Sequence, residues 1–193
     1  MSNHEDRVPG IPGIPDIPEI ESSTLIFNES LITVRKEILL FRDGNRYPYY
    51  TLITKPYSVL ILALTSDDCY VLTEEYRHPV KKFLLSCPGG YMEEGEDPLP
   101  AARRELLEET GYTAESFKLL GAAYPYPGIS AQKTYFVKAE NAKRVSESTL
   151  EVSEIIETLL LKKQQIYEKI GSGIELDGPL CTALFFDLLE SVK

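Results

Sequence analysis

A chain of 193 residues is long enough for one domain plus an extension. With 43% hydrophobic and 26% charged residues, it has the composition of an ordinary globular protein. Lys+Arg 20 against Asp+Glu 30 leaves a net charge of −10, which argues against nucleic acid or an anionic membrane surface as partner; a polyphosphate stays accessible if metal cations sit between the negative charges.

Residues 1–22 read as an extended arm. Pro9, Pro12, Pro15 and Pro18 recur every third residue with Ile11, Ile14, Ile17 and Ile20 in step, the period of polyproline II. Such an arm either does nothing more or lays its Ile edge on the body or on a partner subunit. Glycine does not keep the same period, so collagen is excluded. Residues 23–56 form an N-terminal β segment with strands expected at 24–27, 31–41 and 47–53, punctuated by Asn28-Glu29, Asp43-Gly44-Asn45 and Lys55-Pro56. The main domain, 57–193, opens with strands at 58–64, 69–76 and 82–87. The breaker Pro88-Gly89-Gly90 follows. A helix then begins with Asp97 as cap and Pro98 in first position, carries Leu99, Ala102 and Leu106 as its apolar stripe, and stops at Gly111. Strands at 118–123, 133–138 and 151–156 precede two helices, 159–170 and 179–191, separated by Gly171-Ser172-Gly173.

The longest apolar run, residues 59–64, is far short of the roughly 20 residues of a bilayer span. The first 20 residues lack the apolar stretch of a signal peptide. Cys69, Cys87 and Cys181 are odd in number and contain no CxxC pair, so neither a disulfide framework nor a zinc site is expected. A cytoplasmic location fits.

Residues 93–109 hold Glu93, Glu94, Glu96, Asp97, Glu105, Glu108 and Glu109 against Arg103 and Arg104. Seven minus two puts −5, half the net charge, in 17 residues. Such a run is usually a solvated face. Here, at about 100° per residue, Glu105, Glu108 and Glu109 share one side, away from the apolar stripe. Carboxylates at i, i+3 and i+4 repel by a few tenths of a kcal/mol per pair, so a merely structural helix gains nothing from them. Clustered carboxylate oxygens are what hard cations such as Mg²⁺ select. Arg104, four residues before Glu108, can orient that carboxylate.

From Gly90 to Tyr112 the chain reads Gly-x5-Glu-x7-Arg-Glu-U-x-Glu-Glu-x-Gly-U, with U bulky and apolar, and it resembles the Nudix box at every fixed position. Only Tyr112 is looser than the usual aliphatic residue. The resemblance implies a Nudix hydrolase: an α/β fold, an α/β/α sandwich with a mixed sheet, here with a small N-terminal β extension. It implies a box that binds Mg²⁺ (or Mn²⁺) through Glu105 and Glu109, aided by Glu108 and the Gly89 carbonyl, with Glu96 supporting the loop. Glu108, Glu109 and Arg104 are the implied catalytic residues. The reaction is attack by water on a phosphorus of a nucleoside diphosphate linked to another group.

Three further features resemble the ADP-ribose and nucleotide-sugar branch. Glu75-Tyr76-Arg77 is similar to its Gln-Tyr-Arg, whose arginine contacts the substrate diphosphate. Pro88-Gly89-Gly90 is similar to its Pro-Ala-Gly. Pro127, in Pro125-Tyr126-Pro127-Gly128-Ile129-Ser130, stands 15 residues after Tyr112, where the branch places a marker proline. Arg77, Tyr91, Tyr126 and Pro127 are therefore substrate-binding candidates. Two positions depart from the pattern: Ser86 stands where the branch has Glu, and aligning the strand at 151–156 puts Ser148 where it has a catalytic loop Glu. Glu147 is the preferred substitute, with Glu151, or the box carboxylates alone, as alternatives. In this branch the N-terminal β segment often crosses to a second subunit and completes the base pocket, which implies a homodimer with Tyr47 and Tyr49 stacking on a nucleobase. The implied reaction is Mg²⁺-dependent cleavage of ADP-ribose to AMP and ribose 5-phosphate. GDP-mannose, UDP-glucose or another nucleotide sugar is the alternative substrate, and a catalytically silent nucleotide sensor is the alternative role.

Overall fold

The computed structural model describes residues 17–152 and 154–192, so most of the Pro/Ile arm lies outside the described residues. The chain divides into two compact units, the second beginning at Thr54.

The first unit is an antiparallel meander of β1 (Glu19–Asn28), β2 (Thr33–Leu40) and β3 (Arg46–Ile53). Residues 19–22, read from sequence as arm, are instead the start of β1. Pairing explains the difference: Glu19 and Ile20 lie opposite Leu40 and Leu39. The second hairpin turns at Gly44 (φ +85°), where the Asn45 N–H donates to Asp43 at 3.0 Å. None of residues 17–53 is buried, and Leu25, Ile26, Phe27 and Leu31 are exposed.

The second unit is the α/β/α sandwich. Its main sheet runs β11–β5–β4–β10–β8, formed by β4 (Tyr57–Thr65), β5 (Cys69–Arg77), β8 (Tyr112–Thr113), β10 (Lys133–Arg144) and β11 (Ile156–Lys162). Three strands pair at its flanks: β6 (Lys82–Ser86) on β5, β7 (Gly89–Tyr91) on β4, and β9 (Ser116–Ala123) on β10. The sheet is mixed, because β4 and β10 run parallel whereas β5 runs antiparallel to both β4 and β11.

Strand β4 is an almost continuous apolar run, as a strand covered on both faces should be. Its alternate residues separate two cores. Val59, Ile61 and Ala63, with Val71 and Val137, meet Ala101, Ala102 and Leu106 of α1 (Pro98–Thr110). Leu62, with Leu72 and Phe136, meets Ile166 of α2 (Lys163–Gly171) and Leu180, Ala183 and Leu184 of α3 (Gly178–Ser191). Asp187 pins the second layer: it accepts from Tyr70 at 2.8 Å and pairs with Lys138 at 2.8 Å and Lys163 at 3.2 Å. Burial opposes its charge, but these partners outweigh it and hold the carboxyl below the usual range. No helix among the described residues is long and apolar enough to cross a membrane.

Two sequence expectations fail near the C-terminus. The strand expected at 151–156 begins only at Ile156, as β11 (Ile156–Lys162), and α2 starts at Lys163 rather than at 159. Leu159-Leu160-Leu161 fits either period, and the empty edge of β5 decides for strand by pairing with all seven residues.

Candidate active site

Helix α1 starts after Asp97 with proline in its first turn and ends at Gly111, whose φ of +73° is the left-handed cap expected there. A Cβ on Gly111 would lie 2.1 Å from the Ser146 carbonyl oxygen, so the glycine also admits the chain after β10. Ala102 and Leu106 are buried as the sequence suggests, but the buried side also takes in two of the glutamates. Leu99 is exposed, whereas Glu105 and Glu109 are buried, at 8% and 6% exposure, beside Ala101, Ala102 and Leu106. Glu108 alone of the three faces solvent.

Two carboxylates buried four residues apart are costly without compensation. Glu109 accepts from the Gly89 N–H at 2.8 Å, yet burial, reinforced by Glu105, Glu75 and Glu154, pushes its carboxyl up to about 9. Burial also raises the Glu105 carboxyl, against the pull of Arg104. Gly90 makes room for it: a Cβ there would sit 2.6 Å from the Glu105 carboxylate. Arg104 does more than orient Glu108. It donates to Glu105 at 2.7 Å, to Glu108 at 3.2 Å, to Glu96 at 2.9 Å and to the Tyr91 carbonyl at 3.2 Å. Glu96 also accepts from the Glu93 N–H at 2.9 Å, closing the loop before α1.

Beside the box lies a cleft of about 590 Å³ whose walls include Arg77, Gly89, Gly90, Tyr91, Tyr126 and Asp177. Arg77, at the end of β5, donates to Glu75 and, at 3.1 Å, to Asp177. Lys55 Nζ sits 5.6 Å from the Tyr91 ring centre. Pro125 and Tyr126 line the cleft, whereas Pro127 is exposed in the following turn and does not. Tyr47 and Tyr49 lie on β3 of the first unit, opposite Leu39 and Glu37 of β2.

Glu147 is 89% exposed and paired with Arg144 at 2.7 Å, on a segment fastened to the end of α1 by Val145 and Ser146 N–H groups on Gly111 and by Thr149 on Glu108. The segment before it belongs up to Arg144 to β10. The strand after this loop begins at Ile156, five residues later than expected, and Glu154 lies two residues before it. Ile155 accepts from the Tyr76 N–H at 3.0 Å, which fastens this turn beside Glu75 and Arg77. Glu154 is half-buried, and its charge is felt at Glu75, Glu105 and Glu109; its carboxylate accepts from the Glu151 N–H at 2.7 Å, and its own N–H donates to the Glu151 carbonyl at 3.0 Å.

The family model described as the NUDIX domain matches residues 54–169. The chain belongs to the Nudix hydrolase family. It is 33% identical over 144 residues to a methanol dehydrogenase activator of Bacillus methanolicus, covering 74% of this chain and 78% of that one. It is 28% identical over 144 residues, with the same coverage, to an ADP-ribose pyrophosphatase of Bacillus subtilis. A crystal structure of an ADP compounds hydrolase superposes with a TM-score of 0.81 over 93% of this chain and 97% of that one, at 23% identity, which speaks for the fold.

Nudix hydrolases need divalent metal ions. The donor set here fits one: Glu105, Glu108 and Glu109 are all-oxygen donors, and burial raises the carboxyls of the two buried ones above the usual range, a cost that a cation would relieve. Among the described residues, no three acidic, His or Cys side chains form a ready-made ligand shell. Arg104 and the Gly89 N–H hold the carboxylates instead. The triple Leu hides the strand start, so the sequence alone does not place Glu154 next to β11. Nothing in the sequence around Asp177-Gly178-Pro179 signals the pairing with Arg77.

Proposed function

We propose that this Nudix hydrolase cleaves the diphosphate of ADP-ribose or a related nucleoside diphosphate sugar with Mg²⁺ or Mn²⁺, giving AMP and ribose 5-phosphate from ADP-ribose. The observation that carries the reading is the buried Glu105–Glu109 pair beside a cleft walled by Arg77 and the Gly89-Gly90 turn. Relatives named as ADP-ribose, ADP-sugar and GDP-mannose pyrophosphatases support the substrate class.

In this reading Glu105, Glu108, Glu109 and the Gly89 carbonyl hold the metal, which when bound neutralises the diphosphate and acidifies water. Arg104 keeps Glu105 and Glu108 in place. Arg77 grips the diphosphate, and Tyr91 and Tyr126 flank the ligand. Glu154 takes the proton of the attacking water, whose oxygen ends on one phosphorus as the bridging P–O bond breaks. Tyr47 and Tyr49 supply aromatic faces for a nucleobase.

The protein acts as a homodimer in the cytoplasm. A three-stranded sheet without a single buried residue supports the dimer, since such a sheet needs a covering layer. Three free cysteines support the compartment. Light scattering at micromolar concentration is expected to report twice the 21.8 kDa chain mass; a stable monomer removes the dimer. Substrate choice is tested with equal concentrations of ADP-ribose, GDP-mannose and UDP-glucose plus Mg²⁺. ADP-ribose is expected to give the highest kcat/KM, and a clear preference for another sugar reassigns the base pocket.

A further inference from the structure

We propose that Asp177, at the N-terminal end of α3, is a positioning residue that fixes Arg77 for the diphosphate of the substrate; this rests on the function proposed above. An arginine on a cleft wall explores many rotamers, and each bond it makes to a ligand then costs ordering. Here Nη1 is held by Glu75 and Nη2 by Asp177, so two carboxylates fix the guanidinium plane while its remaining N–H donors stay available. The Arg77 side chain is 40% exposed and that of Asp177 only 14%, which matches a presented group and its half-buried support.

Asp177 is itself held in place. Its N–H donates to the Leu85 carbonyl at 3.1 Å, Leu176 bridges to Leu85, and Glu175 pairs with Lys82 at 2.6 Å. The Ser86 hydroxyl donates to the same Asp177 oxygen as Arg77, at 3.3 Å. At the head of a helix, an Asp carboxylate ordinarily caps a backbone N–H. This one makes no capping bond to α3. Its carboxylate is committed to β5 and β6, and thereby ties the C-terminal helix to the cleft arginine 100 residues away.

A double-mutant cycle on the full chain with ADP-ribose and Mg²⁺ tests the assignment. Asp177→Ala is expected to raise KM about tenfold with kcat within about threefold, the signature of lost binding geometry. Arg77→Ala is expected to raise KM further. The double variant should stay within about twofold of Arg77→Ala, because Asp177 has nothing left to position. Asp177→Asn, which keeps the volume, provides the same cycle should Asp177→Ala fold poorly. Equal KM factors with and without Arg77 would show a merely structural Asp177 and overturn the inference, as would an unchanged or lowered KM in the single variant. A wild-type protein inert towards every nucleotide sugar overturns the proposed function and this inference together. An active wild type with an additive cycle overturns the inference alone.

Discussion

Replacing either buried box carboxylate, Glu105→Gln or Glu109→Gln, is expected to lower kcat at least about 100-fold without unfolding the protein. Each change removes one negative charge and almost no volume. In Glu109→Gln the remaining carbonyl oxygen can still accept the Gly89 N–H bond. The effect on stability should have the opposite sign from that on activity. A buried carboxylate without its cation is a burden, pushed up to about 9 at Glu109 chiefly by burial, whereas a neutral amide is cheaper to bury. Metal-free variants should therefore melt at or above the wild-type temperature. They should also lose the rise in Tm that Mg²⁺ gives the wild type, since a ligand stabilises only the form that binds it. Differential scanning calorimetry with and without Mg²⁺, beside steady-state kinetics, reads both quantities. Near-normal turnover in either variant removes that residue from the metal site.

The loop carboxylate carries the second large effect. Glu154→Gln is expected to lower kcat about 100-fold or more with KM within about threefold, as suits a group acting on charge that develops in the transition state. Glu147→Gln should stay within about twofold of wild type, because that side chain is exposed and bound to Arg144. Activity lost at Glu147 and kept at Glu154 would make Glu147 the loop carboxylate. If both are silent, the box carboxylates position the water themselves.

What the sequence disclosed about this site follows from how local each constraint is. Gly90 and Gly111 are visible because any side chain would strike Glu105 or Ser146, so spacing alone marks them. The Glu105–Glu109 pair is visible as a charge pattern that helix energetics disfavours. Its burial is not, because helical periodicity puts Leu99 inside and cannot weigh that against the sheet actually packed on Ala101, Ala102 and Leu106. The start of β11 was hidden for a related reason: three leucines fit both periods, and only the edge of β5 selects one. Asp177, Ser86 and Arg77 meet only through the packing of α3 and β6 beside β5, which no window of sequence contains.

The most direct measurement is product analysis of ADP-ribose incubated in ¹⁸O-water with the purified wild-type chain, with Mg²⁺ or with EDTA. With Mg²⁺, AMP and ribose 5-phosphate should accumulate in equal amounts with one ¹⁸O on a phosphate, and EDTA should abolish both. No release of either monoester with Mg²⁺ or Mn²⁺, or equal release in EDTA, would contradict a metal-dependent diphosphatase built on Glu105 and Glu109.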